Sequence, residues 1–172
     1  MKQLILVRHA KSSWKYEGLA DKDRPLNKRG TQDAPMMALH TSKALEKSDL
    51  WLSSPATRAV RTAEIFGQYC NRSLSSLKLN EQLYDANYHH LLTELRQIKN
   101  KWQNVVVFGH NPGLTDLIFT ITGEDLENLP TCGMAFLELD IEDWKDLKCD
   151  VGTLTRLEYP KKYKQSAISS LS

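Results

Sequence analysis

Short apolar runs separated by longer stretches of mixed polarity set the layout of this 172-residue chain. Leu4-Ile5-Leu6-Val7, Leu50-Trp51-Leu52 and Val105-Val106-Val107-Phe108 are bounded by polar residues and do not alternate. Unbroken runs of this kind mark strands buried on both faces of a parallel sheet. Between them, residues 30–47 carry Met36, Met37, Leu39, His40, Ala44 and Leu45, and residues 56–69 carry Ala59, Val60, Ala63 and Phe66. Those spacings build one apolar helical face in each segment. Strand and helix alternate, so the predicted class is α/β.

Two turns after these runs carry helix-start chemistry. Ser54-Pro55 and Asn111-Pro112 each place a capping residue before a proline suited to the first helical position. Helix starts of this kind leave backbone N–H groups free to meet an anion. In an open α/β sheet the carboxyl ends of the strands line the binding crevice, so the residues just after Val7, Leu52 and Phe108 are expected to converge. Farther on, residues 88–100 read as a helix, Met134 to Leu139 and Leu154 to Glu158 as strands, and Glu142 to Lys148 as a charged connection. From Pro160 the sequence Pro-Lys-Lys-Tyr-Lys-Gln and a Ser-rich end offer too little apolar surface to dock. The expected organisation is one domain over residues 1–159 and a flexible tail over 160–172.

Composition fits this layout. Hydrophobic residues make 41% and charged residues 26%, near the globular average, which removes disorder and fibrous repeats from consideration. Twenty-three Lys and Arg against 21 Asp and Glu leave a net charge of +2. That is not the basic field of a nucleic-acid binder, so no nucleic-acid partner is expected and any anion site is local. No apolar run approaches the roughly 20 residues of a membrane span. Arg8 and His9 interrupt the first run before it reaches signal-peptide length. The expectation is a cytoplasmic chain without membrane association. Cys70, Cys132 and Cys149 are odd in number and far apart, which argues for free thiols rather than a disulfide framework or a zinc site. With no extended heptad, a monomer is expected.

The turns after the strands change the picture most. Arg8-His9-Ala10 follows the first run, Ser53-Ser54-Pro55-Ala56-Thr57-Arg58-Ala59 the second, and Gly109-His110-Asn111-Pro112-Gly113 the run ending at Phe108. Each delivers a cation or a histidine to the same crevice. Such a set describes a pocket for a compact dianion, of which phosphate is the commonest biological example. Arginine forks hold its oxygens, and histidine can attack its phosphorus. The phosphate-loop, dinucleotide-binding and zincin motifs are all absent, so nucleotide hydrolysis, hydride transfer and zincin chemistry find no support.

Together these residues resemble the histidine phosphatase (phosphoglycerate mutase-like) superfamily, marked by Arg-His-Gly or Arg-His-Ala after the first strand, a later Arg opening a helix, and a second His. Residues 8–36 run from Arg-His-Ala-Lys-Ser-Ser-Trp through Asp-Arg-Pro-Leu-Asn-Lys-Arg-Gly to Asp-Ala-Pro-Met, and Gly-His-Asn-Pro-Gly-Leu and Leu-Pro-Thr-Cys-Gly-Met follow later. These stretches are similar to the small SixA-type branch, the protein phosphohistidine phosphatases, and the resemblance covers about residues 1–158. It implies a three-layer α/β/α fold around a mostly parallel sheet, and a phosphatase that works without a cofactor. It implies His9 as the nucleophile, forming a phosphohistidine intermediate that water hydrolyses. Arg8 and Arg58 would clamp the phosphoryl oxygens, His110 would donate a further hydrogen bond, and Arg24 matches an extra arginine of the SixA-type pocket. Leu79-Asn80-Glu81 matches the segment that carries an acid in broader members, which makes Glu81 the candidate general acid and Asp85 the second choice.

Ser12 follows the nucleophile closely enough to bond phosphate or to shape the turn. His89 and His90 are adjacent on a predicted helix, point to different faces and cannot jointly ligate a metal in simple geometry, so no metal site is expected. Lys11, Lys28 and Arg29 form a rim of cations able to steer an anionic protein. The chain has few spare residues for a lid, which favours an open site that admits a phosphorylated side chain. A phosphate-bearing substrate such as a phosphohistidine protein is therefore the expected partner. A small-molecule phosphomonoesterase or mutase, and a phosphoprotein-binding module without turnover, are the alternatives.

Overall fold

β1 (Lys2–Arg8) and β4 (Asn104–Gly109) pair in parallel at the heart of a six-stranded sheet, Leu4 opposite Val105 and Val7 opposite Phe108. The structure, a computed structural model, describes residues 1–171. β2 (Leu50–Ser53) flanks β4 in parallel, and β3 (Leu77–Leu79) completes that side. On the other side of β1, β5 (Met134–Leu139) pairs antiparallel with β1, and β6 (Gly152–Glu158) pairs antiparallel with β5. The order is β3-β2-β4-β1-β5-β6, so the four parallel strands present their carboxyl ends together.

Both faces are covered, as the unbroken apolar runs require. Successive residues of β1 point to opposite faces. Leu4 and Leu6 join one core cluster, Ile5 and Val7 the other. The first cluster packs against α3 (Tyr88–Leu95) and α4 (Gly113–Thr122) through Leu91, Leu95, Leu114 and Ile118. The second packs against α1 (Lys28–Leu45) and α2 (Thr57–Tyr69) through Met37, Leu45, Ala63 and Phe66. The fold is a three-layer α/β/α arrangement around a mixed, mostly parallel sheet. Among the described residues no helix is long and apolar enough to cross a membrane.

Several local expectations shift. The helix expected over 88–100 ends at Leu95. Neither proline opens its helix: α2 begins at Thr57 and α4 at Gly113, because Ser54 is committed elsewhere and Pro112 sits at the cap. β3 has only three residues, none of them fully buried, which is why no apolar run announces it.

The segment expected to be a loose tail contains a helix, α5 (Pro160–Ser169). Its first turn docks through polar pairs, which an apolar count does not register. Tyr163 Oη donates to Glu158 at 2.7 Å, its ring stacks on His40 at 4.0 Å, and Lys164 Nζ lies 2.6 Å from Asp33 Oδ1. Farther along, Ile168 is exposed, in keeping with the low apolar content.

Between β1 and α1 the chain makes a long excursion and returns to where it left. Ser13 N–H donates to Pro25 O at 2.8 Å, Asn27 N–H to Lys11 O at 2.9 Å, and a bridge joins Ser12 to Leu26. Asn27 then caps α1, its side chain accepting from Gly30 N–H at 2.9 Å.

Candidate active site

A cavity of about 300 Å³ opens at the carboxyl ends of the parallel strands. Arg8, His9 and Ser12 reach it from the turn after β1, Arg58 from the first turn of α2, and His110 from the turn after β4. Lys11, Trp14, Asp21, Arg24, Asp85, Asn111 and Thr131 complete its lining. The expected convergence of three turns is the observed one.

His9 is held on all sides. Its N–H donates to Gly109 O at 3.1 Å, and its carbonyl accepts from Cys132 N–H at 3.1 Å. The following residue is fixed as well: Ala10 N–H donates to Thr62 Oγ1 at 3.0 Å, and that hydroxyl donates to Arg58 O at 2.7 Å. Thr62 therefore ties the His9 turn to the helix that carries Arg58. On the ring, Nδ1 lies 2.7 Å from Ala10 O. A carbonyl only accepts, so Nδ1 carries the proton and Nε2 keeps its lone pair. Burial pushes the His9 pKa down to about 3, with His110, Arg58 and Arg8 adding to the effect. The imidazole is neutral at any ordinary pH.

His110 stands beside it, with ring centroids 5.2 Å apart. Its Nε2 is 2.7 Å from Ser54 Oγ, and that oxygen also accepts from Ala56 N–H at 3.2 Å. Donation of the Ser54 hydroxyl proton to Nε2 satisfies both contacts and leaves the His110 proton on Nδ1. Burial, then Arg58, lowers the His110 pKa to about 4. Three buried donors at this site, His110 Nδ1, Arg8 Nε and Arg58 Nε, have no hydrogen-bond partner among the described residues. Buried polar groups are rarely left unpaired, and three in one pocket are suited to the oxygens of an anion.

The arginines are braced from behind. Arg8 Nη1 donates to Leu129 O at 2.9 Å. Arg24 Nη1 donates to Ser12 Oγ at 3.0 Å, its Nε to Asp21 Oδ1 at 3.0 Å, and its guanidinium lies 3.5 Å from the ring centre of Trp14. Ser12 thus shapes the turn through Arg24. Asp21 also accepts from Arg58 Nη2 at 3.0 Å and from Tyr84 Oη at 2.7 Å. These bonds, Tyr84 first and then Arg58, hold its pKa at about 2, so Asp21 is a fixed anion.

Arg8, His9, Ser12, Arg24, Arg58 and His110 come together as expected; Glu81 does not. Its side chain is 70% exposed, pairs with Lys22 Nζ at 2.7 Å and takes no part in lining the cavity. It opens a short 3-10 turn, Glu81–Leu83, whose first residue faces outward. The second-choice carboxylate, Asp85, does line the cavity. Asp21, Ser54, Thr62 and Tyr84 escape a sequence reading, since the bonds of Thr62 with Arg58, Ser54 with His110 and Tyr84 with Asp21 span four to 63 positions. The Asp21-x-x-Arg24 spacing was the one available clue. Among the described residues no group of three or more His, Cys, Asp or Glu side chains could hold a metal ion.

A neutral nucleophilic nitrogen, unpaired donors and braced guanidinium groups form an arrangement able to take a phosphoryl group onto histidine. The model of the histidine phosphatase superfamily (branch 1) matches residues 4–105. An uncharacterized protein of Mycobacterium tuberculosis (strain H37Rv) is 29% identical over 165 residues, a match covering 90% of this chain and 100% of that protein. The structure of SixA from Agrobacterium tumefaciens superposes with a TM-score of 0.79 at 27% identity, covering 92% of this chain and 98% of its own. The tungstate complex of the protein histidine phosphatase SixA also reaches 0.79, at 23% identity over 94% of this chain and 99% of its own, a likeness of fold.

Proposed function

The chain belongs to the histidine phosphatase superfamily, and from that premise we propose that this phosphatase removes phosphate from phosphohistidine carried on proteins, with His9 as nucleophile. The observation that carries the reading is the neutral His9 ring with its Nε2 lone pair unengaged, beside three unpaired buried donors.

In the first step the His9 Nε2 lone pair forms a bond to phosphorus as the bond to the leaving group breaks in line. Arg8, Arg58 and His110 take the equatorial oxygens, where charge is spread in the transition state, and Arg24 adds a further cation at the rim. In the second step water attacks the phosphohistidine. Inorganic phosphate departs, and the electron pair returns to Nε2. The cycle needs no metal ion or organic cofactor.

Leaving-group chemistry favours a phosphohistidine substrate. An imidazole leaves with its electron pair on a nitrogen whose conjugate acid has a pKa of about 6.5, so little acid assistance is required. An ester releases a far more basic alkoxide and depends on a proton donor. Here Glu81 is turned to solvent and Asp21 is locked as an anion, which leaves Asp85 as the donor for esters.

The test compares kcat/KM for a phosphohistidine-bearing protein and for an alkyl phosphomonoester such as glycerol 2-phosphate, with His9→Ala as the blank. A large preference for phosphohistidine, absent in the blank, is the expected result. Equal or better turnover of the ester would replace this reading with a broad phosphomonoesterase. Turnover that survives His9→Ala would remove His9 from the chemistry.

A further inference from the structure

A second concavity opens beside the phosphate cavity and shares Thr131 with it. It measures about 390 Å³, lies between the start of α1 and the start of α5, and is lined by Arg29, Asp33, Pro130, Tyr159, Lys161 and Lys164. Its charge is one-sided, because a single carboxylate faces three cations. Asp33 is 1% exposed, with Lys164 Nζ 2.6 Å from Oδ1 and Arg29 Nε 3.6 Å from Oδ2. Arg29 is tied again by Nη2, which donates to Thr131 Oγ1 at 3.0 Å.

The buried carboxylate therefore does more than neutralise. It holds two long side chains in place at the groove floor, so less side-chain entropy remains to be lost when an anion arrives. Lys161 is exposed at the rim. Two positive charges stay uncompensated, and through Thr131 they continue the line of Arg8, Arg24 and Arg58. The molecule as a whole carries only +2, so this stripe is a local feature. Tyr159 and the two prolines, Pro130 and Pro160, give it walls against which an extended chain can lie.

We propose that this groove receives an acidic stretch of the phosphoprotein substrate, its carboxylates flanking the phosphorylated side chain that enters at His9. The inference rests on the phosphohistidine reading above. Electrostatic complementarity of this kind sets partner choice and association rate more than chemistry.

The probes are two fluorescein-labelled peptides bearing the same hydrolysis-resistant triazole analogue of phosphohistidine, one with a Glu-rich flank and one with Gln in its place. Anisotropy titration of the full chain is expected to give tighter binding of the Glu peptide by about tenfold at low salt, fading near 0.5 M salt. Lys161→Glu should abolish the contrast and Lys161→Arg should keep it, while both leave p-nitrophenyl phosphate turnover at the wild-type rate. Equal binding of the two peptides by wild type, or a contrast that survives Lys161→Glu, would overturn the proposal. Failure of the parent reading looks different: an ester is then hydrolysed as well as or better than the phosphohistidine protein, or turnover survives His9→Ala, while the peptide contrast still reports on the groove.

Discussion

Arg58 grips Asp21 at two points: Nη1 donates to the backbone carbonyl at 2.7 Å and Nη2 to the carboxylate at 3.0 Å. The two contacts separate orientation from charge. Truncating the side chain removes the anion but spares the carbonyl that positions the guanidinium. An anion this close to Arg58 opposes a second one, so Asp21→Ala is expected to tighten inhibition by inorganic phosphate, with Ki falling about threefold to tenfold. A raised Ki in steady-state inhibition assays would mean that the carboxylate is needed mainly to orient Arg24 and Arg58.

The two candidate acids should separate on an ester substrate. Asp85→Asn is expected to lower kcat for an alkyl phosphate such as glycerol 2-phosphate by about 100-fold, the lower end of general-acid contributions. Glu81→Gln should stay within about twofold, because an exposed pair with Lys22 contributes little. On phosphohistidine neither change should matter much. A large Glu81→Gln defect on the ester would reinstate the acid expected from the Leu79-Asn80-Glu81 segment.

Acid should weaken the fold through the site itself. Free histidine has a pKa of 6.5, whereas His9 and His110 are held near 3 and 4 in the folded chain. Between those limits the unfolded chain binds more protons than the folded one. The stability that comes from keeping both rings neutral is therefore complete above pH 6.5 and lost as the pH falls toward 4. Melting temperatures measured from pH 7.5 to 5 should fall more steeply for wild type than for His110→Gln. Parallel slopes would contradict this.

Gly113 permits a close approach of backbones. A Cβ there would collide with Ala86 O, the carbonyl just after Asp85. Gly113→Ala should cost about 2–3 kcal/mol of stability, in the range for overpacked sites. It should also reduce ester turnover by displacing Asp85. Calorimetry and the kinetics of an alkyl phosphate together check it, and an unchanged melting temperature would refute it.

How much of this was legible in the sequence depends on the range of the interaction involved. β1, β2 and β4 were visible because both of their faces are buried, which leaves unbroken apolar runs. β3 is three residues at the sheet edge, one half-buried and two exposed, and leaves no such trace. His9 and His110 were legible because each follows a strand directly, and Arg58 because it lies in the first turn of the helix after one, where topology fixes their destination. Glu81 was expected at the cavity from the match of Leu79-Asn80-Glu81 alone: one turn of backbone decides whether that residue faces the cavity or solvent, and no spacing encodes the choice. Ser54 reads locally as a cap for its own helix. Its partnership with His110, 56 positions away, exists only once β2 and β4 lie side by side. The docking of α5 was hidden because it runs through Asp33 and Glu158, two carboxylates that a hydrophobic pattern counts as surface.

The neck of the excursion between β1 and α1 bears on how the protein can change over time. Lys11 and Asn27 are joined at the base, so the segment between them leaves and re-enters the body at one place. Its contents, including Trp14, Asp21 and Arg24, can lengthen, shorten or be exchanged without altering the path of the chain through β1 or into α1. The nucleophile sits outside that closed segment, anchored by Gly109, Cys132 and Thr62. A lineage can therefore revise what the pocket admits, residue by residue, while the reacting group stays where the sheet put it.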